Sequence, residues 1–168
     1  MTNPTASPDP HAVVRTLAVA LSTAPVLVLV ALLFVLPTTL DDAPPLPVAA
    51  GLVGLVALGV VAAETLGFRT RPLSPSEHAD QAAARSTALV RHQSLMMVRF
   101  ALVEATVIVG IALSFVLDHA AWPAIVTIVL GTPAMVLEVW PSRRNVARVA
   151  GRLEADGVRS GLTDAFAH

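Results

Sequence analysis

A chain of 168 residues that is 55% hydrophobic and only 14% charged, with a mean hydropathy of +0.72, has the composition of a membrane protein and not of a water-soluble domain. The net charge of −1 conceals a segregation of signs along the chain. The absence of cysteine excludes thiol catalysis, disulfide staples and cysteine-ligated metal.

Residues 1–13 read as a flexible N-terminus. A hydrocarbon core of about 30 Å needs about 20 mainly apolar residues in helical form, and four stretches meet that length. They are residues 14–36, 46–68, 95–117 and 120–140, which together predict an all-α fold, a bundle of four transmembrane helices over 14–140. The first run is longer than the roughly 7–15 residues of a signal-peptide core, and "VLPTTLDDAPP" after it offers no convincing cleavage site, so it reads as a retained helix.

Within the spans, Pro25 and Pro133 are candidate kinks. Gly51, Gly54, Gly59 and Ala63 permit close backbone approach along the second span. Between spans two and three, the connector 69–94 opens with a helix-start signal: Ser74 as cap, Pro75 at the first helical position and Glu77 three residues after the cap. Its Ala-rich continuation favours helix as well, so the spacing predicts a cytoplasmic helix running into span three, either as a solvated connector or as a docking surface. After span four, Trp140 suits the membrane interface and Pro141 interrupts the helix.

The tail 141–168 then begins an amphipathic helix. Val146, Val149, Ala150 and Leu153 follow helical apolar spacing, Arg144, Arg148 and Arg152 form an i, i+4, i+8 stripe, and Gly157 is the expected C-terminal cap. Such a helix is expected to lie on the anionic inner leaflet, with each Arg contributing about 1 kcal/mol; the alternative is that it packs on the connector.

Arginine placement sets the expected orientation. Arg15 begins span one, five Arg residues lie between or beside spans two and three, and five follow span four, whereas the other two loops carry Asp41, Asp42 and Asp118 and no Arg. Both termini are therefore expected to be cytoplasmic, in a bacterial inner membrane.

Three acids fall within the predicted spans. At a rise of about 1.5 Å per residue, Glu138 lies about 3 Å inside Trp140 and Glu64 about 6 Å inside Phe68, so both can reach the interface or a nearby Arg. Glu104 lies about 7.5 Å deeper than Arg99, near the bilayer midplane, where an isolated charge costs at least about 2.5–3.5 kcal/mol. Arg99 and Glu104 are about 140° apart around one helix, so an intrahelical pair is disfavoured. Glu104 is then ionised against an Arg of another helix, protonated in apolar surroundings, or exposed to a water-filled cavity. Arg15, Glu64, Arg99, Glu104 and Glu138 form the candidate intramembrane polar cluster, read either as a structural lock between helices or as an ion or proton site.

Residues 100–117 resemble the carboxylate-bearing helix of rotary ATP synthase proteolipids, through Glu104, Ala105, Ile108, Gly110 and Leu113. Over residues 14–155 the layout resembles small bacterial four-span membrane proteins of unassigned function, through "RFALVE" at the start of span three, "WPSRR" at the exit of span four and a short charged helix ending near Gly157. That resemblance implies an architecture and no particular activity.

No nucleophile elbow, phosphate-binding Gly loop or paired-histidine zinc motif is present. His78 and His92 are about 21 Å apart along one helix, too far to share a metal, and both read as surface residues. The tail lacks the interleaved aromatics of a nucleic-acid binder. The expected protein is not an enzyme, needs no cofactor and has the lipid bilayer, and another membrane protein or further copies of itself, as partners. It is an accessory or interaction component, or alternatively a proton- or ion-handling protein centred on Glu104.

Overall fold

The computed structural model describes residues 10–36, 38–74 and 80–166, with side chains from residue 16 onward. Among the described residues six α-helices follow in order: α1 Pro10–Val35, α2 Leu46–Leu66, α3 Gln81–Leu113, α4 Trp122–Val139, α5 Arg143–Leu153 and the single turn α6 Leu162–Ala165. There is no strand among the described residues. The first four are long and apolar enough to cross a membrane. Their outer surfaces carry Val26, Leu27, Leu33, Phe34, Leu58, Val61, Ile108 and Val129, the exposed aliphatic and aromatic cover that lipid requires and water penalises.

Helix α3 is the centre of the bundle, packed against α4 and α2, while α1 leans mainly on α4. The core between them is built from Met96, Phe100, Val103, Val107, Ile128, Met135 and Val139, with Ala18 and Leu32 contributed by α1. Two glycines set the closeness of packing. Gly59 of α2 sits against Thr106, where an added Cβ would approach its Cγ2 to 2.5 Å, and Gly110 of α3 receives Thr127 of α4 so tightly that a methyl group would overlap it. Intramembrane hydroxyls satisfy themselves locally, as when Thr106 donates to the Val103 carbonyl at 2.7 Å and Thr127 to that of Pro123 at 2.9 Å. Pro25 and Pro133 both lie inside continuous helices.

At the end away from the arginines, Trp122 Nε1 donates to the Thr39 carbonyl at 2.9 Å and the Ala121 amide to Thr38 Oγ1 at 3.2 Å. The short α3–α4 connection turns through Ala120 at φ 45°, and the Ser114 hydroxyl oxygen receives the Ala124 amide at 2.9 Å. At the Arg-bearing end, α5 and α6 fold under the bundle and close a second core of Phe68, Leu73, Ala88, Leu95, Val146, Val149, Leu153 and Leu162.

Several boundaries differ from the sequence reading. Connector and third span are one helix of 33 residues, whose N-cap is Asp80, accepting from the Ala82 amide at 3.2 Å. Pro75 and Glu77 of the expected start signal lie outside the described residues, as does His78. Helix α5 ends at Leu153 with Glu154 as its C-cap, three residues before Gly157, which adopts φ 83° in the loop beyond and donates its amide to the Glu154 carbonyl at 2.9 Å.

Candidate functional site

The polar groups converge where α2, α3 and α4 meet α5. Glu64 stands in the last turn of α2 and receives Arg144 Nη2 at 3.3 Å together with Arg148 Nη1 in a close ion pair. Both arginines lie on α5 four residues apart, so one carboxylate spans two successive turns of that helix. The absence of a side chain at Gly67, the C-cap of α2, makes room for Arg99 of α3: a Cβ there would overlap the Arg99 side-chain stem. The next residue, Phe68, offers its ring to two guanidiniums, with the central carbon of Arg99 at 4.1 Å and that of Arg148 at 3.9 Å from the centroid.

Arg99 is wholly buried, and Glu138 of α4 is 5% exposed. The charges facing Arg99 are Glu138, Arg148 and Glu64. Its Nε and Nη1, and Glu138 Oε2, have no hydrogen-bond partner among the described residues. Glu138 therefore acts on Arg99 as an opposite charge in a poorly screened setting, without an ion-pair contact among the described residues. Beside them, a cavity of about 730 Å³ is bounded by Glu64, Glu138 and Arg144 on one side and by Val60, Leu137 and Trp140 on the other.

Asn145 fixes the corner that aims α5 at Glu64. Its Nδ2 donates to the carbonyls of Leu137, Glu138 and Trp140 at 3.0, 3.3 and 3.1 Å; the first two are left open where α4 ends before Pro141, and the third also accepts the Ser142 amide at 2.7 Å. Ser142 caps α5 by accepting the Asn145 amide at 3.2 Å. Sequence reasoning missed Asn145, although the Ser-x-x-Asn spacing after Trp140-Pro141 marks a helix start.

The predicted cluster is thus divided. Glu64, Arg99 and Glu138 come together; the side chain of Arg15 lies outside the described residues. Glu104 does not join them: it is half-buried on α3 and has neither hydrogen bond nor ion pair among the described residues. Of the tail stripe, Arg148 and the largely exposed Arg144 reach Glu64, while Arg152 is exposed and makes no such contact. The apolar side of α5 is covered by protein, so the helix takes the second of its two expected arrangements, packed on the connector portion of α3. His92, read as a surface residue, is 1% exposed, with its ring 5.3 Å from that of Phe166 and both nitrogens without a partner among the described residues. Its burial arises because α6 and Phe166 close over α3, a contact that nothing local to His92 announces.

Chemically, the site is a set of fixed charges around an aromatic ring. No group of three metal-ligating side chains occurs among the described residues. Such an arrangement fastens one element to another and can hold a charged or zwitterionic group at its cavity. No family model, curated protein or solved structure matches this chain, so the arrangement of its own residues alone carries the functional reading.

Proposed function

We propose that this chain is a multi-pass protein of the bacterial cytoplasmic membrane, with both termini cytoplasmic, that acts without catalysis of its own as an accessory or interaction component. The observation that supports this most is the Glu64 bridge to Arg144 and Arg148. The densest group of charges in the bundle joins α5 to the apolar helices, making a firm platform whose outer side presents Arg143 and Arg152. Orientation with this platform in the cytoplasm agrees with the Arg-free opposite loops bearing Asp41, Asp42 and Asp118. Extraction from native membranes in a mild detergent, followed by sizing and mass spectrometry, tests the reading. A stoichiometric complex with another membrane protein is expected; repeated recovery as a lone monomer overturns it.

A second reading, proton or ion handling at Glu104, draws on one observation: the carboxyl is half-buried within a long apolar helix and unpaired among the described residues. Labelling native membranes with a hydrophobic carbodiimide separates the two. Selective modification of Glu104 that a transported cation suppresses favours this second reading, and no such protection removes it.

A further inference from the structure

We propose that Glu104 anchors an intramembrane docking site for a helix of a different protein that carries a basic side chain. The inference rests on the interaction-component reading and names the chemistry of the partner.

Of the three carboxyls in the apolar helices, two stand at the Arg-bearing end. Glu64 holds Arg144 and Arg148, and Glu138 lies in the field of the buried Arg99, without an ion-pair contact to it among the described residues. Glu104 is five residues further along α3 than Arg99, about 7.5 Å deeper into the bundle, and nothing among the described residues answers it. Its side chain is too short to reach water from there, and an isolated charge at such depth opposes insertion by at least about 2.5–3.5 kcal/mol. A base at the same depth on a neighbouring helix removes that cost.

The surface beside Glu104 suits a helix. Ala101, Ala105 and Ala112 are all exposed, on the same side of α3 as Ile108, and Glu104 stands at the edge of that face where the buried residues Phe100 and Val107 begin. Small side chains there let a second backbone come close, which strengthens any polar contact made at the edge.

A second copy of this chain is a poor occupant. The bases in its spans are Arg15, at the start of the first, and Arg99, which is wholly buried against Phe68. A two-fold contact through this face would also set Glu104 opposite Glu104. The base must come from a different chain.

A photoreactive benzophenone side chain placed at Ala101 in native membranes tests this. The expected result is a discrete adduct with a protein whose membrane helix carries Lys or Arg at the cross-linked depth. That adduct should fall about tenfold or more in Glu104→Gln, as loss of one partner from a desolvated charge pair demands. It should return when Glu104→Arg is combined with replacement of the partner's base by Glu. Should Glu104→Gln lower membrane abundance, Ala105→Phe takes its place, because it keeps the carboxyl and adds bulk only to the exposed face. An adduct undiminished by Ala105→Phe, or formed only with a second copy, overturns the proposal. A detergent-stable complex indifferent to Glu104 overturns it while leaving the interaction-component reading standing, whereas a lone monomer removes that reading itself.

Discussion

Phe68 receives the guanidinium of Arg99, with the central carbon 4.1 Å from the ring centroid, and this contact lies at the seam between the apolar bundle and α5. Arg148 approaches the same ring to 3.9 Å while also holding Glu64. Desolvated cation–π contacts contribute about 2 kcal/mol each, so Phe68→Leu, which keeps apolar bulk and removes the π face, should destabilise the fold by about 1–3 kcal/mol. A double-mutant cycle of Phe68→Leu with Arg148→Met in detergent unfolding should give a coupling of roughly 0.5–2 kcal/mol. Additivity of the two losses would mean that the ring serves only as filler.

Gly110 and Thr127 interlock α3 with α4, and a methyl group on Gly110 would overlap the Thr127 side chain. Because these two helices make the most extensive contact in the bundle, the strain has no easy outlet. Gly110→Ala is expected to cost about 1–3 kcal/mol, as overpacking does elsewhere. Thr127→Ala in the same chain should return part of that loss, since it removes two of the three overlapping atoms and leaves the third. Gly51, with nothing near the position of its Cβ, is the control: Gly51→Ala should leave thermal stability unchanged or raise it.

What the sequence revealed follows from the ranges of the forces involved. The four apolar helices were legible because bilayer thickness dictates a run of about 20 apolar residues, a constraint local in sequence. The Glu64–Arg148 pair was not, since its members are 84 residues apart. Val146, Val149 and Leu153 make the same apolar stripe whether α5 lies on lipid or on protein; only the tertiary fold decides between them. His92 failed for a similar reason, as a lone polar residue in an Ala-rich helix looks solvated until Phe166 is brought over it. For Glu104 the angular separation from Arg99 follows from their spacing on one helix, but its separation from Glu64 and Glu138 required the three-dimensional arrangement of the helices.

Asn145 links the end of α4 to the start of α5 through three carbonyls. In Asn145→Ala the Leu137 and Glu138 carbonyls stay in a largely buried corner without that donor, at a cost of about 1–3 kcal/mol, while the Trp140 carbonyl keeps the Ser142 amide at 2.7 Å. The loss should be local before it is global. Hydrogen exchange is expected to rise first in the amides of residues 143–150, with α2 and α3 unchanged, because the corner sets the direction of α5 and the Arg144 and Arg148 contacts depend on it. Uniform acceleration across all helices would instead show that the corner is part of the global folding unit.

Asp42 provides a pH-dependent element at the other end of the molecule. The Thr39 amide donates to its Oδ2 at 2.8 Å and the Thr39 hydroxyl at 2.9 Å, closing a capping box around the turn Leu40–Asp42. These bonds, the backbone one first, hold the Asp42 carboxyl below its ordinary value of 3.8. A carboxyl whose value is lower in the folded than in the unfolded chain binds fewer protons when folded. Its contribution to stability is therefore complete above 3.8 and is lost as the pH falls through the lowered value. Carboxyl chemical shifts in detergent micelles should give a midpoint for Asp42 below 3.8. Thr39→Val removes the hydroxyl donor and keeps the amide, so the Asp42 midpoint should rise only part of the way to the ordinary value. A full return to it would assign the whole effect to the hydroxyl and leave the backbone bond without influence.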